Sequence, residues 1–393
     1  MPENQHNKSN NNLSNIRVIG ILPWLELFGN ERDNIEIYLS LREQGATVLV
    51  GISKNQIYSD VDIYLQKLGF ETFGLPFGNQ WSWMWLKQYP LSIFEKMNQL
   101  WNCSRILLQQ IKTFKPTHIH ISSFMGYNYI APALFFSNVP LIYRVGEAAP
   151  TDSIYSLQIW RLAMKQSSTI VAVSEFVKQQ ILAQDIPKSK VKRIYNLAPS
   201  RLLTNHRTTQ SDHQSINRQG FVYVGQISEQ KGIRHLLKAV GKFPDYLLDI
   251  VGCSVNDTEF RKELEKWVKY HHLQDQVHFV GQVDDPTIFY AKSLIHIAPS
   301  IVREGLGMVV LEAKKVGTPS IVFPSGGLPE MVRHRIDGYV CRDKTPEALV
   351  EAIEWMLSDR DRLSKMGMAA IDDYETRFGR SRFLEEWSKV YLE

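Results

Sequence analysis

Two glutamates eight positions apart, Glu304 and Glu312, bracket a Gly305-Leu306-Gly307 turn and an apolar run, Met308 to Leu311. A β-like segment, residues 293–300, leads directly into them. The spacing predicts a helix over 305–316 with Gly305 and Gly307 at its N-terminus. Unpaired backbone N–H groups and the positive end of the helix dipole favour an anion there, and glycine lets it approach closely. At helical rise the two carboxylates stand about 12 Å apart. That matches the span from hexose to ribose in a nucleotide-diphosphate sugar whose diphosphate rests on the turn. Carboxylates are good acceptors for paired sugar hydroxyls at either end. The pattern alone is common on solvated helix faces, so its surroundings decide.

Those surroundings are a glycine-led stop at Gly317-Thr318-Pro319, a strand over 320–323, and a second glycine turn, Gly326-Gly327, opening onto Pro329-Glu330. Strand, turn, helix, strand and turn are the order of a doubly wound α/β site, where ligands lie beyond the carboxyl ends of strands. Buried-strand runs at 221–225, 247–252 and 276–281 precede the motif, and Lys231 stands beside Gly232 at a predicted helix start. The first half begins with a strand over 16–22, a loop over 28–31, a helix carrying Ile35, Tyr38, Leu39 and Leu41, and a strand over 46–51. This is one βαβ unit. It lacks the Gly-x-Gly-x-x-Gly fingerprint, which counts against a nicotinamide cofactor. Further strands are expected at 117–122, 140–145 and 169–174. His118 and His120 alternate with isoleucines on the first of these, a pattern more usual for a core-edge histidine.

A chain of 393 residues exceeds one ordinary domain. The reading places a polar tail over 1–14, a first domain over 15–198, a linker within 199–220 and a second domain over 199–375. A C-terminal amphipathic helix over 376–393 carries Phe383, Leu384, Trp387, Val390 and Tyr391. The net charge of +4, from 45 basic and 41 acidic residues, is too small to argue for nucleic acid. Three widely spaced cysteines fit a reducing compartment and buried thiols. No apolar run approaches membrane-spanning length, and residues 1–14 do not read as a signal peptide. No His/Cys cluster suggests a metal, and none is expected. Four of the nine tryptophans fall within residues 81–101, with Lys87 and Lys96. Such a segment suits a membrane interface, a sugar-stacking surface or, by default, core packing.

Phe279-Val280-Gly281, Pro299-Ser300, the 304–313 block, Gly317-Thr318-Pro319, the 326–330 turn and Asp337-Gly338 together resemble the signature of family-4 retaining glycosyltransferases of GT-B fold. Residues 223–232 match the segment in which that family carries a Gly-Arg and a Lys-Gly pair. The resemblance implies two Rossmann-like, doubly wound α/β domains facing across a cleft, with the C-terminal helix crossing back onto the first. It implies catalytic roles for Glu304, on the transferred sugar, and for Lys231. The donor diphosphate would meet Gln226, Lys231, Gly305, Leu306 and Gly307. Glu312 would take the ribose, with Val280 and Gly281 near the base. In the first domain Gly29, Arg144 and Glu147 would face the cleft; alternatively, Arg144 pairs with an acid nearby. Gln226 departs from the usual phosphate-binding arginine, and Gly146 stands where many relatives present a histidine. The expected activity is hexose transfer with retention from a nucleotide sugar, UDP-glucose first, needing no metal or other cofactor. The expected acceptor is a saccharide or lipid-linked saccharide of surface polysaccharide synthesis, handled in the cytoplasm or at the inner face of the membrane. Two other readings are a nucleotide-sugar-binding protein without turnover and a sugar-nucleotide 2-epimerase on a similar fold.

Overall fold

The computed structural model describes residues 12–27, 29–54, 59–77, 92–151, 153–198, 218–254 and 258–393. The expected 28–31 loop includes Phe28, the tryptophan-rich stretch includes 81–87 and the linker includes 199–217; these parts lie outside the described residues. The chain forms two compact units. The first comprises Met1–Val173, Lys178–Ile194 and Phe383–Glu393; the second comprises Ser174–Val177 and Tyr195–Arg382.

The first unit is built on a seven-stranded sheet in the order β3-β2-β1-β4-β5-β6-β7. Its strands are β1 (Arg17–Leu22), β2 (Thr47–Ser53), β3 (Glu71–Leu75), β4 (His118–Ile121), β5 (Leu141–Val145), β6 (Thr169–Ala172) and β7 (Val191–Arg193). Every pairing is parallel. The helices are α1 (Gly29–Glu43), α2 (Asp60–Lys67), α3 (Ser92–Phe114), α4 (Phe124–Phe136), α5 (Ile154–Gln166) and α6 (Glu175–Leu182), the last starting among residues grouped with the second unit. Both faces of a parallel sheet are covered by helices, so its strands read as continuous apolar runs rather than alternating ones.

The second unit repeats this plan with six parallel strands in the order β10-β9-β8-β11-β12-β13. They are β8 (Phe221–Val224), β9 (Leu248–Val251), β10 (Val277–Gly281), β11 (Ile295–Ala298), β12 (Ser320–Val322) and β13 (Gly338–Val340). The helices are α7 (Ile233–Val240), α8 (Thr258–Tyr270), α9 (Thr287–Lys292), α10 (Met308–Lys315), α11 (Pro346–Leu357), α12 (Arg360–Asp373) and α13 (Arg380–Leu392), whose residues from Phe383 group with the first unit. Helix α7 shows why these segments pack: Ile233, Leu236, Leu237 and Val240 are all buried at one-face spacing.

The doubly wound α/β class expected from sequence is the class found, and several boundaries differ. Leu13 lies within the expected polar tail yet is fully buried, its N–H donating to the Gln44 carbonyl at 2.8 Å. One apolar side chain with a backbone anchor suffices to draw that end of the tail into the core. Helix α1 begins at Gly29, so Asn30 and Glu31 are helical rather than loop residues. The last helix begins at Arg380, after a π-helical turn over Tyr374–Phe378, rather than at 376. Strands β3, β7 and β13 were not expected.

Candidate functional site

In each sheet the strand order reverses once, between β1 and β4 and between β8 and β11. At such a switch point the loops leaving neighbouring strands diverge and open a crevice. In the second unit those loops carry Lys231 and Glu304. After β8 the chain passes the exposed Gln226, whose carbonyl accepts from the Tyr223 hydroxyl at 2.7 Å, and makes a 3-10 turn over Glu229–Lys231. Lys231 therefore precedes the helix rather than opening it. Gly232 follows at φ +71°, and a side chain there would collide with the Pro299 carbonyl. The N–H of Ile301 donates to the Gln230 carbonyl at 3.0 Å. These backbone contacts join the loop after β8 to the loop after β11.

The join puts the Lys231 ammonium 2.6 Å from Oε1 of Glu304, both side chains remaining partly open to solvent. The Ser300 hydroxyl donates to the same oxygen at 2.6 Å. Gly326, at φ +60°, packs so closely on the Glu304 backbone that a side chain there would overlap the Glu304 carbonyl, and the N–H of Gly327 donates to that carbonyl at 2.8 Å. The Ser174 hydroxyl, in the same unit, donates to the Gly305 carbonyl at 2.6 Å. The glycine turn thus fixes the height of the Glu304 loop.

Helix α10 begins at Met308 rather than at 305. Gly307, its N-cap, has φ +114°, which no helical residue adopts, so the chain enters the helix there and Gly305 lies ahead of it. The helical-rise spacing between the two glutamates accordingly does not apply over 304–307. No side chain caps this N-terminus. The Leu306 side chain is buried, so only its backbone is available to a ligand. Glu312, half-buried on α10, accepts from the Tyr290 hydroxyl at its Oε2, 3.0 Å away. Behind the helix, Lys314 is sealed between Asp373 at 2.5 Å and Asp337 at 3.1 Å, which anchors α10. Val280 is exposed, and a side chain added at Gly281 would project into open space. Glu330 is occupied as an anchor within the unit: its carboxylate accepts from the backbone N–H groups of Glu175 and Phe176 and from the Tyr195 hydroxyl.

The first unit treats its candidates differently. Arg144 is almost fully buried, with Asp33 Oδ2 at 2.9 Å and Asn30 Oδ1 at 2.7 Å. The pairing with an acid is therefore the arrangement found, which corrects the reading of its guanidinium as an open binding group. Glu147 is exposed. Gly29 is exposed in the first turn of α1, with nothing near enough to require a glycine. His120 is fully buried, stacked on Trp387 and 2.6 Å from the Tyr391 hydroxyl; it is a core histidine. Glu31, which sequence reasoning missed, is also sealed, and burial pushes its carboxyl up to about 7. Trp101 is exposed, whereas Lys96 is buried against Tyr129. Cys103 and Cys341 are buried, and Cys253 is half-buried. Among the described residues no His/Cys/Asp/Glu group is placed to hold a metal ion, and no helix is long and apolar enough to cross a membrane.

Two family models divide most of the chain: Glycosyltransferase Family 4 matches residues 77–198, and glycosyl transferases group 1 matches residues 207–373. An uncharacterized glycosyltransferase of Haemophilus influenzae is 28% identical over 238 residues, covering 58% of this chain and 62% of the relative. The capsular polysaccharide biosynthesis glycosyltransferase CapM of Staphylococcus aureus is 24% identical over 244 residues, covering 59% and 63%. The chain thus spans about three fifths of the length of these curated relatives. Anabaena HepE, solved with UDP and glucose, superposes with a TM-score of 0.76 at 18% identity, over 96% of this chain and 100% of its own. A glycosyltransferase from Rickettsia africae gives 0.79 at 19%, over 96% and 97%. At these identities the structural likeness is one of fold.

Proposed function

Taking the chain as a family-4-like glycosyltransferase of GT-B fold, to which its two matched families and its fold assign it, we propose that it transfers a hexose with retention from a nucleotide-diphosphate sugar. UDP-glucose is the first candidate donor. A saccharide or lipid-linked saccharide of surface polysaccharide synthesis is the acceptor, reached from the cytoplasmic side. The observation that carries this reading is the Lys231–Glu304 pair at the switch point, one turn ahead of the uncapped N-terminus of α10.

An ammonium has three donors. One goes to Glu304 Oε1, and the other two suit phosphate oxygens. Lys231 and Ser300 both engage Oε1 of Glu304, so Oε2 is the oxygen turned to hexose hydroxyls. The diphosphate rests on the 305–307 backbone, and Glu312 takes the ribose. With Gln226 neutral, the cationic stabilisation of the leaving group comes from Lys231 and the helix dipole, both in place before reaction. The bond from the anomeric carbon to the phosphate oxygen breaks while a bond to the acceptor oxygen forms on the same face. The acceptor hydroxyl's proton passes to the departing diphosphate. Protein groups neutralise the charge, so the reaction needs no metal. Exposed Phe94, Met97 and Trp101 recur at one-face spacing on α3, which favours peripheral contact with a membrane holding a lipid-linked acceptor.

Proton NMR of the first-formed product tests the reading. Retention of the donor's anomeric configuration, with activity surviving a chelator, is expected; inversion contradicts it.

A further inference from the structure

The two glutamates of the motif are held by different chemistry. Glu304 meets a cation, whereas Glu312 meets a phenol from a separate helix, Tyr290 of α9. Tyr290 is almost fully buried. Its ring meets the ring of the fully buried His296 edge-on, with centroids 5.2 Å apart. His296 is in turn held by Ser320, Nδ1 to Oγ at 2.9 Å. At the backbone, the Tyr290 carbonyl accepts from the Thr318 hydroxyl at 2.7 Å. Packed on one side and tied at its backbone, the phenol has little freedom to swing. An O–H···O bond to a carboxylate from a fixed donor, here 3.0 Å long, restricts rotation of the carboxylate that accepts it.

We propose that Tyr290 is the positioning residue for ribose recognition: by holding Oε2 of Glu312 it sets the direction of the carboxylate and so the preference of the site for ribose over deoxyribose. This rests on the donor reading, in which Glu312 meets the ribose. Without the phenol the Oε2 end of the Glu312 carboxylate is held less firmly, and the loss falls on ligands with both ribose hydroxyls. Tyr290→Phe keeps the ring that meets His296 and removes the hydroxyl donor.

The test is calorimetry with whichever of UDP, GDP and ADP the wild-type protein binds most tightly, together with its 2′-deoxy and 3′-deoxy counterparts. The wild type prefers the ribonucleotide by roughly tenfold or more, the scale of a hydrogen bond to a charged group. Glu312→Ala abolishes that preference. Tyr290→Phe reduces it at least about threefold while changing deoxynucleotide affinity less than about twofold, and the double variant matches Glu312→Ala alone. If Glu312→Ala abolishes the preference and Tyr290→Phe keeps the wild-type ratio, the positioning role is overturned and the donor reading stands. If Glu312→Ala itself keeps the wild-type ratio, the assignment of ribose to Glu312 is overturned, and the positioning role with it.

Discussion

The two switch points use polar residues in opposite ways. Around the first, between β1 and β4, Glu31, Asp33, His120 and Arg144 are nearly all excluded from water. At the second, between β8 and β11, Lys231 and Glu304 keep 29% and 22% of their side-chain surface open. A sealed charge must be matched by fixed protein partners, because breaking such a pair leaves an uncompensated ion. A half-open pair contributes little to stability and is free to exchange a partner for a ligand. The same place in two similar sheets thus serves as a polar core in one unit and as a candidate binding edge in the other.

Breaking the sealed pair gives the largest expected effect. Arg144→Ala removes the guanidinium beside Asp33 and should cost about 3–5 kcal/mol in urea unfolding. Lys231→Ala should cost less than about 1 kcal/mol. Similar losses in both variants would erase the distinction between the two sites.

Glu31 sharpens the comparison through pH. Its carboxyl rises from 4.5 to about 7, burial being the main cause and the neighbouring Glu147 adding to it. The folded state then holds a proton that the unfolded chain has released. Stability must fall as pH climbs from about 4.5 to about 7, by an amount on the order of 3 kcal/mol. His120, pushed down by burial to about 3, acts with the opposite sign, since stability falls as pH drops below 6.5. Glu31→Gln should flatten the neutral limb and leave the acid limb in place. A variant whose neutral limb keeps its slope would show that Glu31 is not the group responsible.

A smaller effect is expected at the half-open site. Gly326→Ala puts a methyl group against the Glu304 carbonyl at a left-handed φ, so the loop must move. A stability loss of about 1–2 kcal/mol should accompany a fall of more than about tenfold in donor affinity, because sites tolerate misplacement poorly. Unchanged donor binding would mean that the height of the loop does not matter to the ligand.

The second unit was the more legible in sequence because its motif is local, with Glu304 and Glu312 on one segment. What joins the motif to Lys231 was not visible. That contact spans 73 residues and depends on β8 lying beside β11. Tyr290 escaped because its contact with Glu312 joins two helices, α9 and α10, across 22 residues. The start of α10 was misplaced because Gly305 and Gly307 read alike until their backbone angles are known. In the first unit, α1 buries Glu31, Asp33, Asn34, Glu36 and Ser40 alongside its apolar residues, so hydrophobic periodicity gave no sign that both faces are enclosed. For Arg144 the sequence offered a pairing with a nearby acid but could not single out Asp33, 111 residues away.

The central claim is that Lys231 and Glu304 form the diphosphate and hexose ends of one donor site. Calorimetry of the preferred nucleotide sugar and of its nucleoside diphosphate, on wild type, Lys231→Ala and Glu304→Ala, tests it most directly. Lys231→Ala should weaken both ligands strongly. Glu304→Ala should weaken the nucleotide sugar while leaving the nucleoside diphosphate within about threefold of wild type, once the freed lysine is allowed its full charge on phosphate. Wild-type affinities for both ligands in both variants would contradict the account.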